Sequence, residues 1–326
     1  MAWRLRAMIR WLQGPAEQAM ADSWAAIEAT EAIFDSLQSP QVLAQTLGRF
    51  SDDYRLLAGA VPHRSEQPTP DDLAFSLRIM ERIRARILLS QMVRSARPAQ
   101  AEADTAISGL RKQVSGLQKQ LLDPRTEVAD RKSLLDELDR VEHRILAAEQ
   151  AAGRGLSSRL LSGAIPGLAQ VQQSLAPDQA ILAYQVAQTT RLSQEQAPHK
   201  VRAGGSWVLV ITQESARAHP LAERSQLEGE IQVFLGLVER RDGSEEEAAR
   251  ILYRALLSSA LAGLSTDIER IIIVPDGPLH RLPFGALRAD DDRLLAEARQ
   301  ITLAPSVSVW SWWRRARPAA HHRIVT

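Results

Sequence analysis

The fold is decided by the stretch IIIVPDGPLHRLPFGALR, residues 271–288. Its first four residues are apolar, and a run of this length without polar alternation is typical of a strand buried on both faces of a sheet. Pro275, Asp276 and Gly277 follow directly. Asp-Gly after a strand indicates a tight turn, because the aspartate accepts backbone N–H groups and the glycine adopts positive φ. The stretch therefore predicts a central strand of an α/β sheet that ends in a structured loop.

Strands and helices alternate around this stretch and predict an α/β sheet domain over residues 163–326. Segments rich in Val, Ile, Tyr and Trp predict strands at 180–187 and 206–213, and the apolar run at 270–275 predicts a third. A further strand is expected at 299–305, and an edge strand at 216–221. Helical patterns lie at 223–239, at 245–262 and after Ser306. The last residues, RIVT at 323–326, look like the start of another strand. We therefore expect the front part of a longer protein, with an open sheet edge at Ile324.

The first half of the chain, residues 1–162, has a helical composition, because Ala, Leu, Glu, Gln and Arg dominate it and β-branched runs are absent. Thr69 before Pro70 indicates a helix start. The helix that follows is apolar on one side and rich in arginine on the other, where Arg84 and Glu81 lie. Since no aromatic residues are interleaved with these charges, they predict a solvated face rather than a phosphate-binding surface.

Two heptad patterns between residues 103 and 150 predict an antiparallel helical hairpin of coiled-coil type. Apolar residues recur in them at intervals of three and four: Ile107, Leu110, Val114, Leu117 and Leu121, then Leu134, Leu138, Val141 and Ile145. Glycines and serines after the second pattern indicate a domain boundary near residue 162. The predicted class is α+α/β, with a helical, repeat-like region over 1–162 and a sheet domain over 163–326.

Composition limits the chemistry that this chain can perform. Its 326 residues carry a net charge of +1, which argues against a general affinity for nucleic acid. There is no cysteine, which excludes disulfides, zinc–thiolate sites and a cysteine nucleophile in this chain and suits a reducing cytoplasm. No phosphate-binding loop, dinucleotide fingerprint or metal-ligand spacing of histidines is present, so we predict no cofactor and no metal. No apolar run reaches the ~18 residues of a membrane span.

Asp276 and His280 form the pair of residues that could take part in hydrolysis. An aspartate can orient a histidine that acts as a base, and ligands bind at the strand ends of α/β sheets. Against this, two prolines interrupt the segment, and the loop holds no serine or cysteine for such a base to activate. We therefore favour a structural turn, in which Pro283 and Phe284 anchor the loop to the core.

The same stretch resembles the hallmark strand and loop of the CHAT domain, the caspase-like domain found after tetratricopeptide repeats in bacterial proteins. The matching residues are Val274, Pro275, Asp276, Gly277, Leu279, Leu282, Pro283, Phe284 and Leu287. Further on, ITLAPSVSVW at 301–310 resembles the next strand of the family and its turn, with Ala304, Pro305, Ser306 and Ser308. The similarity covers residues 165–326. A weaker similarity links residues 73–92 to the last repeat-like helix before such domains.

The resemblance implies a cysteine peptidase with a histidine–cysteine dyad on a caspase-like sheet. Both catalytic motifs of the family follow later strands, and neither is present in these 326 residues. We therefore assign no catalytic residue. The loop residues that match the family are expected to shape the loop and are the candidates for binding: Pro275, Asp276, Gly277, His280, Pro283, Phe284, Ala304, Pro305 and Ser306.

Three functions are compatible with these observations, and we favour the first. It is the partner-binding scaffold of a caspase-like peptidase of the tetratricopeptide-repeat-CHAT type, in the bacterial cytoplasm, with a protein partner on the helices and a catalytic half beyond these residues. The second is a stand-alone hydrolase that uses Asp276 and His280. The third is a helical adaptor that binds membrane or nucleic acid through basic, aromatic ends such as VWSWWRRARPAAHHR, residues 309–323.

Overall fold

The computed structural model describes residues 2–13, 16–36, 40–60, 68–84, 101–123, 128–151, 165–187, 205–240 and 243–316. The strand predicted at 323–326, and with it the sheet edge predicted at Ile324, lies outside these ranges. Within them, the first half of the chain is helical and the second half is built on a mixed sheet. This arrangement confirms the predicted α+α/β class.

The helices of the first half are α1 Ala2–Gln13, α2 Ala16–Ser36, α3 Pro40–Ala60, α4 Pro70–Ile83, α5 Ala101–Leu122 and α6 Val128–Ala151. The start of α4 is encoded locally. The Asp72 N–H donates to Thr69 Oγ1 at 3.2 Å, and the Thr69 N–H donates to Asp72 Oδ2 at 2.9 Å. This capping box satisfies amides that the first turn of a helix leaves without partners.

In the described part of the second half, five strands form a mixed sheet in the spatial order β3-β2-β1-β4-β5. The strands are β1 Gln179–Gln185, β2 Trp207–Ile211, β3 Ala216–Pro220, β4 Arg270–Val274 and β5 Gln300–Leu303. β1, β2 and β3 pair antiparallel, whereas β4 runs parallel to β1 and β5 runs parallel to β4. Among the described strands, β3 therefore lies at an edge, as its sequence predicts, and β4 lies inside the sheet.

The helices of the second half surround these strands: α7 Leu168–Ser174, α8 Arg224–Arg240, α9 Glu246–Tyr253, α10 Leu295–Ala298 and α11 Val307–Ala316. α9 continues through a π-helical turn, Arg254–Ser258, into a last helical turn, Ser259–Ala262. The helices predicted over 223–239, over 245–262 and after Ser306 are thus present, although the π-helical turn interrupts the second of them.

Both faces of the sheet are covered, which is why the middle of its central strands is apolar. On one face, Leu182 and Tyr184 of β1 share a buried cluster with Leu227 and Phe234 of α8. The residues of β1 and β4 that point to the opposite face are buried as well. A strand buried on both faces loses the alternation of polar and apolar residues. This burial explains the run of four apolar residues in β4.

The structure divides into two compact units. The first consists of Met1–Thr30, Leu47–Arg86 and Ser162–Thr326, and the second of Glu31–Thr46 and Ile87–Leu161. The first unit therefore combines the sheet with helices that precede residue 162 in the chain, among them α1 and α4. The domain division that the sequence predicts at residue 162 stays a prediction.

In the second unit, α5 and α6 pack against each other. Ile107 and Val141 are buried, and the other apolar heptad residues are half-buried. Every other side chain that the structure describes on these two helices is exposed, including Leu135 at 52%. The packed residues are therefore the heptad residues of the sequence, while a coiled-coil geometry stays a prediction.

Candidate functional site

The loops after β1, β4 and β5 lie at one end of the sheet, because these three strands run in the same direction. Ala183 of β1 pairs with Val274 of β4, so the end of β1 comes beside the turn that follows β4. We call residues 275–287 the β4 loop and residues 304–306 the β5 loop. Ligands bind at the carboxyl ends of parallel strands in α/β sheets. This end of the sheet is therefore the candidate functional site.

Asp276 lies at the centre of this site, and its side chain is 13% exposed. Its Oδ2 accepts a hydrogen bond from the Val186 N–H at 2.9 Å, and its Oδ1 accepts one from Arg55 Nη2 at 3.4 Å. Burial raises the pKa of Asp276, but the charges of Arg84 and Arg55 and the Val186 amide outweigh burial and hold this pKa below its ordinary value. Asp276 is therefore an ionised group that joins the end of β1 to the β4 loop.

The β4 loop is shaped by a glycine and by buried apolar side chains. Gly277 has a φ of +54°, the left-handed conformation that glycine adopts without strain. Two 3₁₀ turns follow, Gly277–Arg281 and Phe284–Ala286. The Phe284 ring is buried and lies 5.5 Å from the ring of Tyr184 on β1. Since Pro283 is exposed, Phe284 is the member of the predicted pair that anchors the loop.

His280 lies in the first of these turns, and its side chain is exposed. The two oxygens of Asp276 bond to Val186 and Arg55, and His280 forms no hydrogen bond with Asp276 in the part of the chain that the structure describes. Residual burial lowers the pKa of His280, Asp276 raises it and Arg84 lowers it, with a net decrease. The two residues share a loop but do not form the pair of orienting group and base that hydrolysis requires.

Two residues at the end of α4 reach this site, although the sequence predicted that they lie on a solvated face. Glu81 is only 1% exposed. Arg84, directly after α4, donates through Nη2 to the carbonyl oxygen of Tyr184. Its Nη1 is buried, and the described residues offer it no hydrogen-bond acceptor. The prediction holds for Arg78, which is exposed, but it was wrong for Glu81 and Arg84, because tertiary packing places this end of the helix against the sheet.

Burial governs the charge of Arg84. It lowers the pKa of Arg84, and the nearby carboxylates of Asp276 and Glu81 counteract that decrease. A buried guanidinium that lacks one hydrogen-bond partner is costly unless neighbouring negative charges offset it. Arg84 therefore depends on both carboxylates, one in the β4 loop and one on its own helix.

α3 contributes Arg55, which sequence reasoning did not single out. The carbonyl oxygen of Arg55 accepts a hydrogen bond from Gln185 Nε2 at 2.9 Å, and the same amide nitrogen donates to the Gly205 carbonyl oxygen at 3.4 Å. Gln185 is the last residue of β1 and is 2% exposed. A buried amide needs such partners. Through them, Gln185 connects the end of β1 to α3 and to Gly205, which lies two residues before β2.

The β5 loop is held by Glu81. Its carboxylate accepts hydrogen bonds from the N–H groups of Val307 at 3.2 Å and Ser308 at 2.7 Å, which begin α11. Ser306 caps the same helix, as the sequence predicts, because its Oγ accepts the Val309 N–H at 3.1 Å. A carboxylate at a helix N-terminus satisfies amides that have no partner within the helix and is attracted by the helix dipole.

The other two motif residues of the β5 loop have structural surroundings. Ala304 is buried, and its N–H donates to the Ile273 carbonyl oxygen of β4 at 2.9 Å. Pro305 is half-buried. The Ala304 hydrogen bond connects the β5 loop to β4. Glu81 connects the residues that follow this loop to α4.

The chemistry of this site is that of a fixed, charge-balanced support. Arg55 and Arg84 face Asp276 and Glu81, and both carboxylates bond to main-chain amides. The β4 loop contains no serine, threonine or cysteine, and the hydroxyl of Ser306 is engaged as a helix cap. The arrangement can therefore hold two loops in place, and these two loops supply no nucleophile.

The membrane alternative can be compared with the helices themselves. Of the helices that the structure describes, none is both long enough and apolar enough to cross a bilayer. In the aromatic segment near the C-terminus, Trp310 is 6% exposed and belongs to the core, whereas Trp313 is 45% exposed.

A comparison with family models matches residues 246–326 to the CHAT domain. The matched range contains the β4 loop, the β5 loop and the strands that lead into them, so the resemblance found in these motifs is confirmed. The helices that supply Arg55, Glu81 and Arg84 lie outside the matched range. No curated protein matches the chain.

Proposed function

We propose, from the CHAT domain sequence at residues 246–326, that this chain is the non-catalytic portion of a caspase-like cysteine peptidase. It would provide the scaffold and bind a partner, while another polypeptide segment supplies the histidine and the cysteine. The observation that carries the proposal is the β4 loop, which has the family motif but commits its ionised carboxylate to the Val186 amide and Arg55. The absence of cysteine from the 326 residues agrees with this division of roles.

β5 offers a docking surface for the catalytic segment. In the described part of the chain, β5 is the last strand of the sheet and pairs with β4 alone. Leu303 is 58% exposed, and Gln300 and Thr302 are exposed as well. A strand edge with free main-chain groups accepts a further strand by continuing the hydrogen-bond ladder. We expect the catalytic half to add its strands at this edge.

The helices would receive a protein partner. α1 exposes Trp3, Leu5 and Ile9, and a group of exposed apolar side chains on a helix is typical of a surface that another protein segment covers. α5 and α6 use their heptad residues to pack on each other and present the remaining, mostly polar residues to solvent. A tetratricopeptide-repeat-like character of these helices and a cytoplasmic location in a bacterium belong to the same proposal.

Co-expression tests this function. The full chain would be produced together with a tagged polypeptide that carries the histidine and cysteine motifs of a CHAT domain, and co-purification and peptide cleavage would be measured. We expect a complex that Leu303→Asp weakens, because this change places a charge on the β5 edge. Leu135→Asp is the matched control, since Leu135 on α6 is about as exposed as Leu303. A complex that both variants leave intact, or the absence of any complex, would refute docking at β5.

The same preparation separates the alternatives. Peptide cleavage by the chain alone that disappears in His280→Ala would favour the stand-alone hydrolase, which the engaged oxygens of Asp276 do not support. Binding to anionic vesicles or to oligonucleotides that weakens as salt increases would favour the adaptor function.

A further inference from the structure

Two side chains at the end of α4, three residues apart, bond to the segments that adjoin the two motif loops. Glu81 bonds the amides of Val307 and Ser308 behind the β5 loop. Arg84 bonds the Tyr184 carbonyl oxygen at the end of β1, where its charge lowers the pKa of Asp276 in the β4 loop. Residues three apart share one side of a helix. One surface of α4 therefore supports the two loops together.

α4 is held together along its length as one rigid element. The capping box of Thr69 and Asp72 fixes its first turn, and the apolar face with Leu73, Leu77 and Met80 is buried. A helix that is capped at its start and packed along one face resists fraying, because each turn is held by its own contacts. A displacement of α4 would therefore move Glu81 and Arg84 in concert.

We propose that α4 couples the β4 loop to the β5 loop, so that a change at either loop reaches the other. The biological meaning of this coupling rests on the proposed function, since the β5 loop follows the strand at whose edge a catalytic segment would dock. Glu81 and Arg84 are positioning residues in this scheme. Glu81 holds the start of α11, and Arg84 holds the end of β1 beside Asp276.

The two contacts depend on each other through charge. Replacing the Glu81 carboxylate by an amide leaves one of the Val307 and Ser308 N–H groups without its acceptor, because glutamine keeps only one side-chain oxygen, and this loss is costly in a buried place. It also removes one of the two carboxylates that offset the buried charge of Arg84. The positive charge of Arg84 would then be offset by Asp276 alone. The resulting change in the position of Arg84 would reach Asp276 and the β4 loop.

Amide hydrogen exchange of the full chain tests this coupling. Glu81→Gln removes the charge and keeps the size of the side chain, and the amides of β2 serve as the internal reference for global unfolding. We expect exchange of the Val307 or Ser308 amide that loses its acceptor to become about tenfold faster or more and exchange of the Val186 amide, which bonds Asp276, to accelerate as well. Glu247→Gln is the control, because Glu247 pairs with Arg250 and is 63% exposed. It should change neither loop.

A reciprocal variant completes the test. Asp276→Asn should accelerate exchange at the Val307 and Ser308 amides, at the far end of the α4 contact, as well as at Val186. Faster exchange confined to residues 307–316 in Glu81→Gln, or to Val186 in Asp276→Asn, would overturn the coupling and leave two independent local supports. If Glu81→Gln does not fold, Asp276→Asn provides the readout from the other loop.

These outcomes are independent of the docking experiment. The exchange measurement uses the chain without a catalytic segment, so coupling can be present when no complex forms with the CHAT catalytic polypeptide. Conversely, a complex that depends on Leu303 can form in a protein whose two loops respond separately. Failure of the coupling and failure of the proposed function are therefore distinguishable.

Discussion

Two consecutive stretches of the chain use charge in opposite ways. The β4 loop has a single carboxylate, Asp276, and buries it against Arg55 and Arg84 at the end of the sheet. The segment that follows, residues 288–294, has three aspartates in a row and leaves them on the surface. The β4 loop makes few polar contacts, and its carboxylate is buried. Residues 288–294 make many polar contacts, and their carboxylates are exposed to water.

The exposed segment is tied to α9 and to its π-helical turn by ion pairs. Asp292 pairs with Arg250 at 2.8 Å and with Arg288 at 3.3 Å, and Asp290 pairs with Arg254 at 2.7 Å. The side chains of Asp292 and Asp290 are 62% and 66% exposed. Ion pairs of this kind contribute little to stability, because water and salt screen them and long side chains must be ordered to form them.

The comparison shows that surroundings decide more than the number or the length of ion pairs. Arg55 lies 3.4 Å from Asp276, a longer distance than several pairs of the exposed segment. Yet removal of Asp276 would leave two arginines in a water-poor place without their opposite charge, and an unpaired buried charge is strongly destabilising. We therefore expect the loop with fewer polar contacts to be the more sensitive of the two.

The largest difference should appear when one aspartate is removed from each stretch. Asp276→Ala should lower the free energy of unfolding by about 3–5 kcal/mol, the usual cost of breaking a buried ion pair. Asp292→Ala should have a much smaller effect. Urea unfolding followed by circular dichroism measures both. Equal effects of the two substitutions would mean that burial does not separate the two stretches.

Acid should remove the advantage of Asp276. Its folded-state pKa lies below the unfolded value of about 3.9, so its ionised form contributes stability that is fully present above that pH and is lost as pH falls toward the folded-state pKa. The difference in unfolding free energy between the wild type and Asp276→Asn should be constant from neutral pH to about pH 4 and shrink below it. A difference that grows on acidification would contradict a lowered pKa.

A smaller effect is expected from the backbone of the β4 loop. Gly277→Ala should destabilise by about 1–2 kcal/mol, because φ is +54° while a new Cβ would meet only Val186 Cβ at 3.9 Å. Gly229→Ala is the matched control, since a Cβ there would meet nothing within 4 Å and alanine favours the helical conformation. It should stabilise α8. Thermal unfolding of the two variants should therefore shift in opposite directions.

The smallest effect concerns His280, which is exposed. Its folded-state pKa lies below the unfolded value of about 6.5, so folding favours the neutral ring, and the associated stability is lost as pH falls through the folded-state pKa. Titration of the imidazole by nuclear magnetic resonance should show this lowered pKa. Asp276→Asn should lower it further, because the Asp276 charge raises it. An imidazole pKa above about 6.5 would instead indicate a close pairing with Asp276.

Much of the fold could be predicted because its signals are local. The run of four apolar residues predicted β4, and the Thr69 cap predicted the start of α4. The heptad positions predicted the packed side of α5 and α6. Each of these signals depends on residues that lie close together in the sequence. Over such short separations, the period of the helix or strand decides which side chains share a face.

Of the candidate site, only the loop residues could be predicted. The sequence indicated Asp276, Gly277 and Phe284, since turn chemistry and an apolar anchor are visible in a short segment. It indicated a solvated face for Glu81 and Arg84, because an arginine-rich helix side is usually exposed. Burial by a distant part of the chain reversed that expectation, and no local pattern marks such burial.

The sequence by itself indicated most helices and strands of this protein and the resemblance of residues 246–326 to the CHAT domain. Only the tertiary structure decided what those elements hold together. Arg55 meets Asp276 across 221 positions of the chain, and Glu81 meets Val307 across 226. A single sequence carries no periodicity over such separations. The contacts arise because parallel strands bring their ends to one side of the sheet, where α3 and α4 supply the opposite charges.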